Sequence, residues 1–226
     1  MPNLTRRSWL GITGAALLAS GIPVQASNRE DKPDNTWKPA NPRETIQRRH
    51  LPNVALVTHE GKKVRFYDDL IKDKIVVINM MYATCEGICP AITSNLQKVQ
   101  KLLGNRMGRD IFFYSITLKP ERDTPEVLKE HVKMHGIQPG WLFLTGAPAD
   151  IEVLRRKLGF VDPDPEVDKD TTNHIGNIRY GNEPLMLWAA MPGSIKPASL
   201  VEAIETQVDW PKPESTPATA VKGERK

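Results

Sequence analysis

The chain has 226 residues, enough for one domain with terminal extensions. With 39% hydrophobic and 26% charged residues it does not have the composition of a protein with many membrane spans. A formal charge of +4 with no long Lys/Arg block gives no support to nucleic-acid binding.

In chain order, residues 1–26 read as an export signal. Arg6-Arg7 precede a 14-residue weakly polar run, Trp9 to Ile22, and Val24-Gln25-Ala26 offers the small residues a signal peptidase reads. The run is shorter than the roughly 20 residues of a bilayer span. The paired arginines point to the twin-arginine route, with an ordinary secretory signal as the alternative. No cysteine follows the cleavage site, so a lipoprotein is not expected, and the expected location is the periplasm. Cleavage removes two arginines and no acid, lowering the charge from +4 to +2. Residues 27–52, with Pro33, Pro39, Pro42 and Pro52, read as a tether or irregular lead-in, and residues 211–226 as a disordered tail.

The intervening domain, residues 53–210, alternates strands and helices. Val54–Thr58 and Lys63–Phe66 form an expected hairpin with Gly61 in its turn. Lys74–Met81 is a nearly continuous apolar, β-branched run, as in a buried central strand, and it leads into Cys85. Pro90 suits the first turn of a helix continuing through Ala91–Leu103 to Gly104. Asp110–Leu118 reads as a second buried strand. A helix capped by Asp123, with Glu126 three residues on, follows, and then a short strand at Trp141–Leu144. A helix over Ala149–Gly159 turns Ile151, Val153, Leu154 and Leu158 inward; residues 161–182 read as a polar loop, Leu185–Ala190 as a strand and Pro197–Val208 as the last helix, with Leu200, Val201 and Ile204 inward. This alternation predicts an α/β fold: a central, mostly parallel sheet flanked by helices, with an N-terminal β-hairpin.

The chemistry concentrates in Cys85-Glu86-Gly87-Ile88-Cys89-Pro90, which holds both cysteines of the chain. Residues four apart share a helix face. A helix N-terminus favours thiolate over thiol, and thiolates are soft ligands suited to Cu(I). A third ligand would come from elsewhere. A structural disulfide would close only a very short loop, and structural zinc usually takes four protein ligands. A reactive pair where a central strand meets a helix is the thioredoxin arrangement.

Four features in order resemble the Sco/SenC family: C-x-x-x-C-P at Cys85–Pro90, Pro120-Glu121-Arg122-Asp123-Thr124-Pro125, Trp141-Leu142-Phe143-Leu144-Thr145-Gly146, and Asn173-His174 in a late loop. The resemblance covers roughly residues 50–208. It implies a thioredoxin-like fold binding one copper, as Cu(I) or Cu(II), through Cys85, Cys89 and His174. It further implies delivery of copper to the binuclear centre of a respiratory enzyme of the cytochrome c oxidase type, or reduction of that centre's cysteines. The implied partners are the copper-centre subunit and a thioredoxin-like reductant, with membrane contact only through an uncleaved signal. Lys119 stands where the family has an acid and Asn173 where it has Asp, and the stretch after His174 departs from its pattern.

The alternative function is a thiol–disulfide oxidoreductase using Cys85 and Cys89 as a redox pair, although oxidoreductases of this fold space their cysteines C-x-x-C. A peroxide-handling enzyme is a weaker reading, because no Thr-x-x-Cys motif occurs and Thr84 adjoins Cys85. His131 and His135, four apart, read as semi-buried packing rather than a metal pair, His50 and His59 as solvated, and Met80 and Met81 as core.

Overall fold

The computed structural model describes residues 41–85, 87–170 and 176–208. The residues read as an export signal, most of those read as a lead-in, those read as a tail, Glu86 and His174 lie outside them. No helix among the described residues is long and apolar enough to cross a membrane.

The hydrophobic pattern becomes one mixed sheet. Strands β1 (Ala55–Thr58), β2 (Lys63–Arg65), β3 (Ile75–Met81), β4 (Ile111–Thr117), β5 (Trp141–Gly146), β6 (Asn177–Asn182) and β7 (Leu187–Pro192) lie in the order β2-β1-β5-β4-β3-β6-β7. Helices α1 (Pro42–His50), α2 (Cys89–Leu103), α3 (Pro125–Met134), α4 (Pro148–Lys157), α5 (Pro165–Asp168) and α6 (Pro197–Ala203) complete the described elements, with one-turn π segments at Phe66–Ile71 and Ile204–Val208 and a 3₁₀ turn at Gly104–Arg106.

The fold class is the expected one, but the balance of strand directions is not. Only β3–β4 and β4–β5 are parallel; β1–β2, β1–β5, β3–β6 and β6–β7 run antiparallel. The parallel strands are the three joined by α2 and α3, whose crossovers return the chain to the same end of the sheet, so that each strand starts from that end. β3 sits between β4 and β6, which is why Val76, Val77, Ile78, Met80 and Met81 are all buried and its sequence is continuously apolar. The hairpin forms as expected, with Gly61 at φ 79° in its turn.

Four further readings change. The stretch 177–182, read as loop, is β6: Ile178 and Tyr180 alternate into the core, and Gly181 is required because a Cβ there would stand 2.4 Å from the Trp188 ring across the pair. The lead-in contains helix α1, started by Asn41, whose side chain accepts from the Arg43 N–H. Arg43 reaches the fully buried Glu183, which also accepts from the Tyr67 hydroxyl (2.8 Å) and the Asp73 N–H (2.8 Å). Thr124, not Asp123, caps α3 by accepting from the Val127 N–H. On the helices expected to face inward, Val153 is exposed and Val201 only half-buried, whereas Ile151, Leu154, Leu200 and Ile204 are buried.

A buried polar chain crosses the three parallel strands. The Trp141 Nε1–H donates to Ser115 Oγ (2.8 Å), and the Ser115 hydroxyl donates to Asn79 Oδ1 (2.7 Å). It ties β5, β4 and β3 together one pleat before β3 reaches the cysteine loop.

Candidate metal centre

β3 ends at Met81, and the chain leaves it through Tyr82-Ala83-Thr84. Two bonds hold this exit: the Leu118 N–H donates to the Met81 carbonyl (2.7 Å), and the Ala83 N–H donates to Asp123 Oδ2 (3.0 Å). Asp123 is itself buried and accepts from the Thr117 hydroxyl (2.5 Å). The residue read as a helix cap is therefore a brace on the peptide two positions before Cys85. Cys85 closes a turn onto the Tyr82 carbonyl (3.2 Å), and Cys89 opens α2 with Pro90 beside it.

Both cysteines are unpaired and almost fully enclosed, at 8% and 4% exposure. Their thiols lie within hydrogen-bonding reach of each other. Burial pushes the Cys85 thiol up, but the Cys89 thiol and N–H, the Tyr82 hydroxyl and the Gly87 N–H more than reverse this, so Cys85 sits below the ordinary thiol value. Burial and the adjacent Cys85 sulfur push Cys89 up to about 12. The Tyr82 hydroxyl, against Cys85 and partly buried, is likewise raised to about 12. The Lys119 ammonium lies 4.1 Å from the centre of the Tyr82 ring, so the lysine that replaces the expected acid faces this site. A close pair of unoxidised sulfurs at a helix start fits a soft monovalent metal ion.

The other candidates separate from the site. Met80 and Met81 pack in the core, as expected. His131 is buried against Phe143 (ring centroids 5.4 Å) and His135 (4.3 Å), and burial, aided by His135, lowers its pKa to about 4. This is the packing role read from the sequence. His59, read as solvated, is instead buried: its Nδ1 accepts from the Phe143 N–H (3.2 Å), and burial lowers its pKa. His50 is exposed. Among the described residues no group of three His, Cys, Asp or Glu side chains could hold a metal.

His174 and Asn173 lie outside the described residues, but both flanks of their segment are defined. Before it, Asp168 on α5 is clamped by Arg155 (2.7 and 2.8 Å). After it, Gly176 lies against Ile88, the residue before Cys89: a Cβ on Gly176 would sit 3.5 Å from Ile88 Cδ1. Sequence reading missed Tyr82, Gly176 and the bracing role of Asp123. A carboxylate buried by tertiary contacts leaves no periodic signal, whereas the aromatic three residues before Cys85 was there to be read.

The SCO1/SenC family model matches residues 43–209. The chain belongs to the SCO1/SenC family. A Stutzerimonas stutzeri protein named for copper binding is 28% identical over 179 residues, covering 78% of this chain and 81% of its own. The SCO2-like protein of Rickettsia prowazekii is 29% identical over 110 residues, 49% of this chain and 52% of its own, so the match spans about half the length of that relative. Copper-bound yeast Sco1 superposes with a TM-score of 0.56 at 21% identity, over 71% of this chain and 93% of its own. Copper-bound ScoI of Bradyrhizobium japonicum gives 0.54 at 20% identity, over 68% and 96%. At such identities the likeness is one of fold, and it is the thioredoxin-like fold expected from the sequence.

Proposed function

We propose that this SCO1/SenC protein is an exported, periplasmic copper carrier that binds one copper ion through Cys85, Cys89 and His174 and delivers it to the binuclear copper centre of a respiratory oxidase or similar enzyme. The observation that carries the reading is the pair of buried, unpaired sulfurs within reach of each other at the start of α2. Two thiolates hold Cu(I), and an imidazole accommodates Cu(II). His174 is two residues from Gly176, a chain reach of about 7 Å, and Gly176 lies against Ile88. The copper-bound relatives and the Arg6-Arg7 signal support the same reading.

Titration of the mature chain with copper tests it. The expected result is one equivalent bound, lost in Cys85→Ser and in Cys89→Ser, and a Cu(II) affinity lowered at least about tenfold in His174→Ala with Cu(I) retained. Unchanged binding in either serine variant overturns the reading.

The unequal thiols favour a second activity at the same pair. The Cys85 thiolate attacks a partner disulfide, forming a mixed disulfide and releasing one partner thiolate. Cys89 gives up its proton and attacks Cys85, which frees the second partner thiol and leaves a Cys85–Cys89 disulfide. The partner's two cysteines are thereby reduced, and a thioredoxin-like reductant restores the pair.

A further inference from the structure

Helix α2 carries the cysteine site at its start and a stripe of contacts along one side. Ile88, Ile92 and Asn95 are spaced i, i+4, i+7 and so lie on one helical face. The first two meet glycines of other segments. Gly176 lies against Ile88, and a Cβ on Gly193 would stand 3.0 Å from Ile92 Cγ2 and 3.1 Å from the Gly176 carbonyl oxygen. Asn95 is the polar member. Its amide nitrogen donates to the Gly193 carbonyl (2.8 Å) and to the Ile195 carbonyl (2.6 Å), gripping the turn between β7 and α6. The Gly193 N–H in turn donates to the Gly176 carbonyl (2.6 Å). A continuous chain of hydrogen bonds thus runs from the cysteine helix, through the β7–α6 turn, to the residue at which the chain re-enters the described fold two positions after His174.

We propose that Asn95 is a positioning residue of the metal centre: acting through Gly193, it fixes Gly176 against the start of α2 and so sets where the segment carrying His174 is rooted relative to Cys85 and Cys89. The inference rests on His174 being a ligand, as proposed above. The chemistry of the amide suits the task. The amide N–H₂ carries two donors and can serve two carbonyls at once, whereas an aspartate of nearly the same shape sets a carboxylate against two carbonyl oxygens. Neither cysteine depends on this chain of bonds, because Cys85 is held by the β3 exit and Cys89 by α2 itself. Disturbing Asn95 therefore affects the imidazole-dependent oxidation state and spares the thiolate-dependent one.

The test loads the mature chain, its Asn95→Asp, Asn95→Gln and Gly193→Ala variants, and His174→Ala with copper alone as Cu(II) or Cu(I). It reads nitrogen coupling in the Cu(II) electron paramagnetic resonance spectrum and both affinities by chelator competition. In wild type, nitrogen coupling is present, and His174→Ala abolishes it. Asn95→Asp and Gly193→Ala are expected to weaken that coupling and lower Cu(II) affinity about tenfold, with Cu(I) affinity within about twofold of wild type. Asn95→Gln keeps the donor and retains the coupling. If His174→Ala changes nothing, the ligand assignment itself is wrong. If His174→Ala abolishes the coupling while Asn95→Asp and Gly193→Ala keep wild-type coupling and Cu(II) affinity, the positioning role alone is overturned. Should Asn95→Asp not fold, Gly193→Ala and Asn95→Ser decide the same question.

Discussion

Cys85 and Cys89 are the same side chain four positions apart, yet the fold makes them chemically different. Cys85 collects donors from Cys89, Tyr82 and Gly87 and ends as the better thiolate, while the deeper Cys89 is pushed up to about 12. Thiolate is the reactive form, so labelling rates follow these values. Iodoacetamide at pH 7.5 should modify Cys85 at least about tenfold faster than Cys89, as read by peptide mass spectrometry. The Cys85 rate should level off below the ordinary thiol value of 9.0, while that of Cys89 climbs toward about 12. Equal rates across the pH range would contradict the asymmetry. The pair itself was legible in the sequence, since both cysteines of the chain lie together beside a helix-starting proline. Their inequality was not, because it comes from Tyr82 and from depth of burial. His59 shows the same limit: nothing in His59-Glu60-Gly61 distinguishes a solvated ring from one whose Nδ1 is used by the Phe143 N–H across the sheet.

Among the elements, legibility followed the continuity of the pattern. β3 and β4 announce themselves because both faces are covered and nearly every position selects an apolar residue, apart from Thr117 at the end of β4 and the pair Asn79 and Ser115. That pair is explained by Trp141, whose indole N–H begins the chain through Ser115 to Asn79. Ser115→Ala leaves the Trp141 donor without its acceptor and Asn79 without its donor, all within the core. It should cost about 1–3 kcal/mol in urea unfolding, and a loss below experimental error would show that the chain is not stabilising. β6 was hidden because only Ile178 and Tyr180 carry its alternation, while Arg179 looks like a loop residue. In the fold Arg179 stacks over Phe160 (4.8 Å) and donates to the Leu158 carbonyl (3.0 Å), so its charge is used at the sheet surface. α1 was hidden behind its prolines. Its cap at Asn41 is a local signal, but its anchor is Glu183, 140 residues from Arg43, which no local pattern encodes.

For the molecule as a whole, the sheet order brings two distant stretches of chain to one end of β3. β3 pairs with β4 on one side and β6 on the other, so the cysteine loop leaves the sheet where the chain enters β6 through Gly176. The α/β class could be read in the sequence from its alternating elements, and its thioredoxin-like form from the cysteine pair at a strand–helix junction and the family resemblance, whereas the mixed strand directions arise from the β6–β7 hairpin at one edge and β1–β2 at the other. In the proposed metal site this topology supplies the sulfurs from the strand–helix junction, and the proposed imidazole belongs to the sequence that precedes β6. X-ray absorption at the copper edge of the copper-loaded mature chain measures that convergence. The account predicts two sulfur scatterers and at least one imidazole nitrogen in Cu(II)-loaded protein, with the imidazole signature lost in His174→Ala. A first shell without sulfur, or an imidazole signature unchanged in His174→Ala, would contradict it.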